Sequence, residues 1–246
     1  MSLAVTVLGS AAMFATPERA CAGYLVEADD KRVWMDAGGG TWQALQRCID
    51  FSTLDAVVLS HRHPDHTIDV LQCFHARRYG GEEPLERIPL WAPAETLERL
   101  EGFSPELEES FEIEQVKPGD SIKVDGIAFT FFEMVHSAET VGIRLDVDGT
   151  VLAYSADTGP GGDFAGLGTG AHTLICEATL QDSDELWEGH MSATQAGQAA
   201  ADLGIEHLVL THLPPERDLE LSLDEARRIF GGVDVKLAFD GMRIEL

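Results

Sequence analysis

Short apolar stretches bounded by turn residues recur along the chain. They predict strands at Leu3–Leu8, Gly23–Glu27, Arg32–Asp36, Ala56–Ser60, Ile88–Ala92, Ile127–Val135, Val141–Val147 and Val151–Ser155. A last group falls at Thr173–Ala178, His207–Thr211, Val235–Ala238 and Met242–Glu245. Asp29-Asp30, Gly38-Gly39-Gly40, Pro118-Gly119-Asp120, Asp125-Gly126 and Asp148-Gly149 supply the turns between them. Helical patterns occupy Ile68–Tyr79, Glu95–Glu101, Ala193–Leu203 and Leu223–Phe230, the third rich in small residues that suit close packing on a sheet. Strand meanders mixed with strand–helix units predict an α/β or α+β protein in which helices cover sheets, an order compatible with two sheets packed face to face with helices outside. No Pro/Gly/Ser linker interrupts residues 1–246, which read as one domain. Glu82 to Glu114, acidic and weakly patterned, reads as a surface excursion. Gly159 to Gly170 lacks a phosphate-loop signature and reads as a flexible rim.

Length and composition add constraints. A chain of 246 residues with 44% hydrophobic and 24% charged positions is that of a soluble globular protein. The apolar run from Leu3 to Ala15 is broken by Thr6, Gly9 and Ser10, and no Lys or Arg precedes it. It therefore lacks both the length of a membrane span and the basic start of a signal peptide, and a cytoplasmic protein is expected. Asp and Glu number 43 against 17 Lys and Arg, a net charge of −26 at pH 7. Lys31-Arg32, Arg77-Arg78 and Arg227-Arg228 are scattered basic pairs rather than a patch, so long nucleic acid and anionic membranes are poor partners. Four scattered cysteines form no C-x-x-C pair and read as reduced thiols, with Cys21, Cys73 and Cys176 in the core.

Candidate chemistry is concentrated after the strand Ala56–Ser60, in His61-Arg62-His63-Pro64-Asp65-His66. In an extended segment His61 and His63 point the same way and can reach one cation. Pro64 then ends strand pairing, turning Asp65 and His66 toward a second position. Imidazole and carboxylate together suit zinc and similar divalent ions. One loop cannot complete two such sites. His136, Asp157 and His212 each follow a predicted strand, where functional groups on a sheet scaffold usually sit.

This set resembles the metallo-β-lactamase fold, from Val5-Leu8-Gly9-Ser10 to Phe239-Asp240, and the resemblance implies an α/β fold, an αββα sandwich of two packed mixed β-sheets flanked by helices. The resemblance implies that His61, His63 and His136 hold one divalent metal ion and Asp65, His66 and His212 another. Asp157 would bridge the two, and Asp36 would support the metal loop from behind. Zinc is the first expectation for both ions and manganese the second. Within that superfamily, Tyr154–Thr158, Cys176–Leu180 and Gly189–Ala196 resemble ribonuclease Z and its cyclic phosphodiesterase relatives. The resemblance implies that His190 assists phosphodiester cleavage, that Glu177 orients it, and that Asp65 orients an attacking hydroxide held between the metals. It also allows a homodimer.

Two departures narrow the substrate. Only 20 residues lie between His136 and Asp157, too few for the tRNA-gripping arm of ribonuclease Z. Thr211-His212-Leu213-Pro214-Pro215 is more like the branch that cleaves cyclic phosphodiesters. The expected function is hydrolysis of small cyclic phosphodiesters such as cyclic nucleotides. A tRNA 3′-end nuclease, a lactonase or thioesterase of the same fold, and a non-catalytic metal-binding regulator are the alternatives. His75, His172 and His207 are expected to be structural.

Overall fold

Leu3–Gly9 forms strand β1, buried at every position. The computed structural model describes residues 2–231 and 234–246, which fall into two compact units: Met1–Val116 with Phe239–Leu246, and Lys117–Ala238.

In the first unit β1 is followed by β2 (Gly23–Ala28), β3 (Lys31–Ala37), α1 (Thr41–Cys48), β4 (Ala56–Val58), α2 (Pro64–Thr67), α3 (Val70–Tyr79), β5 (Ile88–Ala92), α4 (Ala94–Phe103) and β6 (Phe111–Gln115). In the second come β7 (Ser121–Val124), β8 (Ile127–Met134), β9 (Thr140–Val147), β10 (Thr150–Tyr154), α5 (Phe164–Gly168), β11 (Thr173–Glu177), α6 (Ala193–Leu203), β12 (His207–Thr211), α7 (Leu219–Phe230) and β13 (Asp234–Leu237). β14 (Arg243–Glu245) returns to the first unit. The α/β class and its two mixed sheets are as expected. One sheet runs β14-β1-β2-β3-β4-β5-β6 and the other β13-β12-β11-β10-β9-β8-β7.

Each sheet begins as an antiparallel meander and continues in parallel strands with helical crossovers. Register aligns the apolar positions. In the first unit Leu25, Trp34, Val57 and Leu90 lie side by side on successive strands. Their row packs on Trp42 and Leu45 of α1 and Val70, Cys73 and Phe74 of α3. In the second unit Ala153, Leu174, Leu208 and Val235 form the equivalent row. Ala193, Ala196 and Ala200 of α6 pack in the same core, with Leu223 and Ala226 of α7. The buried residues that α6 places in this core are small, Ala193, Ala196 and Ala200.

Three expectations need correction. Glu82–Glu114 is no surface excursion: it holds β5, α4 and the start of β6, a strand paired in parallel with β5 through Ile88 and Phe111. The acidic residues face outward while Leu90, Leu100, Leu107 and Phe111 are buried. Gly159–Gly170 contains the short helix α5, with Phe164 and Leu167 in the core. The Asp163 side chain accepts a hydrogen bond from the Gly166 N–H and so starts that turn. Helix α7 begins at Leu219, before the expected Leu223, because Asp218 caps it through the Leu221 N–H. Among the described residues no helix is long and apolar enough to cross a membrane.

Candidate metal centre

In the first unit, His61 and His63 leave the end of β4 and Pro64 opens α2, which carries Asp65 and His66. Pro at the first helical position lacks an N–H that the helix would leave unpaired in any case. The turn Asp36-Ala37-Gly38 lies directly behind this loop. At Gly38 a Cβ would run into the carbonyl of Asp65, so only glycine lets the two backbones approach. Asp36 is fully buried, with φ 55°, and gathers three donors. Its carboxylate accepts from the Ser60 N–H (2.8 Å), the Ser60 hydroxyl (2.8 Å) and Nδ1 of His66 (2.8 Å).

These bonds fix the tautomers. Because the Ser60 hydroxyl donates to Asp36, it accepts from Nδ1–H of His61, 3.0 Å away. His61 and His66 therefore each present the Nε2 lone pair. The His61 Nε2 lies 3.0 Å from Nδ1 of His63. Two nitrogens bound tetrahedrally to zinc at about 2.0–2.1 Å would stand about 3.3 Å apart, so the pair is already near bidentate spacing. Asp65 is held from the other side: its Oδ2 accepts from the Met13 N–H at 2.8 Å, and Met13 has φ 64°.

The second unit carries its own candidate residues at four strand ends. His136 follows β8, Asp157 follows β10, Glu177 ends β11, and His212 follows β12. Nδ1–H of His136 donates to the Gly189 carbonyl at 2.7 Å. The Thr179 hydroxyl donates to the His212 carbonyl and accepts from Nδ1 of the same residue at 3.0 Å. Both rings again present Nε2, a tautomer choice that outer partners make for metal-binding histidines. The His212 Nε2 is 3.3 Å from Oδ1 of Asp157, and the His136 Nε2 is 3.7 Å from its Oδ2. Burial lowers the pKa of His136 against the opposing pull of Asp157. That favours neutral imidazole, the form that binds metal.

His190 stands beside this group, its ring centroid 4.9 Å from that of His136 and 5.6 Å from that of His212. Ligand atoms of Asp157, His190 and His212 lie within 4.8 Å of one another. Nδ1–H of His190 donates to Oε1 of Glu177 at 2.7 Å. Glu177 is wholly buried and also accepts from the N–H groups of Thr158, Thr179 and Met191. His190 precedes α6, whose N-terminus is closed by a capping box between Ser192 and Gln195. Ala156 and His212 have φ 52° and 54°. Left-handed backbone at such positions costs free energy and collects at functional sites.

All the predicted residues thus fall into two groups, His61, His63, Asp65 and His66 in one unit and His136, Asp157, Glu177, His190 and His212 in the other. Sequence reasoning missed Ser60, Thr179 and the Gly189 carbonyl, which pin the imidazoles. Ser60 and Thr179 adjoin recognised motifs, but nothing local marks a carbonyl as a partner. His75 is exposed on α3, His172 accepts from the Val151 N–H, and His207 pairs with Asp234. None of the three joins these clusters.

Imidazoles with pinned Nδ1 atoms, together with carboxylates at strand ends of an α/β scaffold, define a metal-dependent hydrolase. The chain belongs to the family described as the beta-lactamase superfamily domain, whose model matches residues 31–213. It is 33% identical over 242 residues to the Mycobacterium leprae protein ML1173, covering 94% of this chain and 85% of that one. It is 25% identical over 290 residues to the ribonuclease Z of Methanopyrus kandleri, covering 99% and 98%. The crystal structure of the metallo-beta-lactamase fold protein YhfI from Bacillus subtilis matches with a TM-score of 0.92 at 26% identity, covering 100% of both chains.

Proposed function

We propose that this metallohydrolase is a dinuclear phosphodiesterase acting on small cyclic phosphodiesters, cyclic nucleotides first among them. The observation that carries the reading is the Glu177–His190 pair, a buried carboxylate holding an imidazole beside His136, Asp157 and His212. Metal binding alone has no use for such a pair.

The ligand assignment follows the family resemblance and the donor chemistry. His61, His63 and His136 would hold one ion, Asp65, His66 and His212 the other, and Asp157 would serve both, with zinc the first choice. Bound there, divalent ions supply an acidic water and positive charge against the phosphate oxygens. Asp65, fixed by the Met13 N–H, orients the attacking water. Glu177 holds the proton on Nδ1 of His190, so proton exchange takes place at Nε2. The attacking water would pass one proton to solvent as its oxygen bonds to phosphorus, the ring P–O bond would break, and His190 in its imidazolium form would give its Nε2 proton to the departing oxygen and regain it from solvent. A cyclic diester thereby becomes a monoester.

Substrate size is argued from charge and loop length. A net charge of −26 leaves little basic surface for several phosphate contacts at once. The 20 residues between His136 and Asp157 are taken up by a short loop and the β9–β10 hairpin, with no inserted arm. The test is a side-by-side assay of metal-reconstituted protein on 2′,3′- and 3′,5′-cyclic nucleotides, precursor tRNA and a lactone panel, scored as kcat/KM. Cyclic nucleotide turnover with intact precursor tRNA is expected. Efficient 3′-trailer removal with cyclic nucleotides untouched would restore the tRNA nuclease, and activity on lactones alone would move the reading to carbonyl chemistry.

A further inference from the structure

Trp34, Trp42 and Trp91 are at most 7% exposed, whereas Trp187 is 47% exposed. The chain has four tryptophans, so Trp187 is the single one that offers a large face to solvent. It belongs to none of the motifs that define the metal centre, yet it stands three residues before His190.

The indole is held in place. Its six-membered ring lies over Cα of Gly189, in space that any Cβ at that position would fill. Its ring centroid is 5.7 Å from that of His136 at an interplanar angle of 72°, and 5.1 Å from that of His190 at 64°. These edge-to-face contacts fix the ring without covering it. Exposed indole carries an unfavourable hydration term that a polar residue in the same loop would avoid. A rigid, half-open aromatic ring is the feature on which nucleobases stack, at little cost in conformational entropy.

We propose that Trp187 is a specificity-determining residue, a platform on which the base of a nucleoside phosphodiester stacks while its phosphate lies by His190. The identity of the reacting group rests on the phosphodiesterase reading above; the stacking does not.

The experiment has two arms, both on metal-reconstituted protein. In the first, adenosine monophosphate, which presents a base without a scissile diester, is titrated while tryptophan fluorescence is followed. Saturable quenching is expected in the wild type, absent with ribose 5-phosphate and lost in Trp187→Phe, because the remaining indoles are buried. In the second, a cyclic nucleotide and the base-less glycerol 1,2-cyclic phosphate are compared in wild type, Trp187→Ala and Trp187→Phe. The preference for the nucleotide should fall about 5- to 100-fold in Trp187→Ala, carried by KM, and Trp187→Phe should recover most of it. Equal losses in kcat on both substrates would reduce Trp187 to a brace for His136 and His190 and overturn the proposal. Absence of saturable quenching would overturn it as well. If the wild type hydrolyses neither compound, the phosphodiesterase reading fails, and the fluorescence arm alone decides the platform.

Discussion

Glu177 has no exposed surface, yet Nδ1 of the partly exposed His190 donates a 2.7 Å hydrogen bond to its Oε1. A buried carboxylate is tolerated because backbone N–H groups at Thr158, Thr179 and Met191 also point at it. The two residues therefore differ in what they support. His190→Ala should lower phosphodiester turnover about 10²- to 10⁴-fold while leaving metal content and melting temperature near wild type. Glu177→Gln places an amide N–H where donors already converge, and should lose stability as well as turnover. Equal melting temperatures in the two variants would contradict this division.

Metal content gives the second prediction. Protein purified without chelator should carry close to two divalent ions per chain by elemental analysis, and His61→Ala or Asp157→Asn should reduce that number. Asp36 bonds to His66 directly and reaches His61 through Ser60, so Asp36→Ala should weaken metal affinity about 10- to 100-fold, because His66 loses its Nδ1 partner and Ser60 its acceptor. A count that stays near zero after reconstitution would end the dinuclear reading.

Thiol chemistry offers a third. Burial pushes the pKa of Cys21 and of Cys73 up to about 12, with Asp65 adding to the rise at Cys21, and Cys176 is raised further. Cys48 is exposed, although partial burial and the nearby Glu27 raise its pKa as well. A thiol reagent at pH 8 should therefore modify one cysteine quickly in the native protein and all four after denaturation. Two or more fast equivalents would show that the core around Cys21 or Cys73 opens readily.

Helix α1 supplies the fourth. Its N-cap, Gly40, has no side chain, and the Asp69 carboxylate caps it instead, accepting from the N–H groups of Gly40 and Trp42 at 2.8 and 2.9 Å. Asp69→Ala leaves those donors buried, and should cost about 1–3 kcal/mol in denaturant unfolding. A change under about 0.5 kcal/mol would mean that α1 contributes little to the first unit.

The same helix shows where the sequence was opaque. A helix normally announces itself by a capping residue next to its start, as Ser192 and Gln195 announce α6. At α1 the cap lies 29 positions away, so Thr41–Cys48 carried no start signal. Strand β6 was hidden for a related reason. Of Phe111–Gln115 only Phe111 is buried, and its pairing with β5 is a tertiary fact. The candidate metal ligands are legible because histidine and aspartate at strand ends have few other uses. Their outer partners were not, since Gly189 acts through a carbonyl that every residue possesses.

The position of β14 bears on how the chain folds during synthesis. β1 pairs with β2 on one side and with β14 on the other, through Val5 and Ile244, so the first unit is assembled from stretches far apart in sequence. The second unit is continuous in sequence and can close as soon as Ala238 has emerged. Until Arg243–Glu245 follows, β1 presents an unpaired and apolar edge, the feature that recruits foreign strands. A nascent chain stalled before Arg243 should therefore hold a folded second unit and a sticky first one, a natural substrate for a ribosome-associated chaperone.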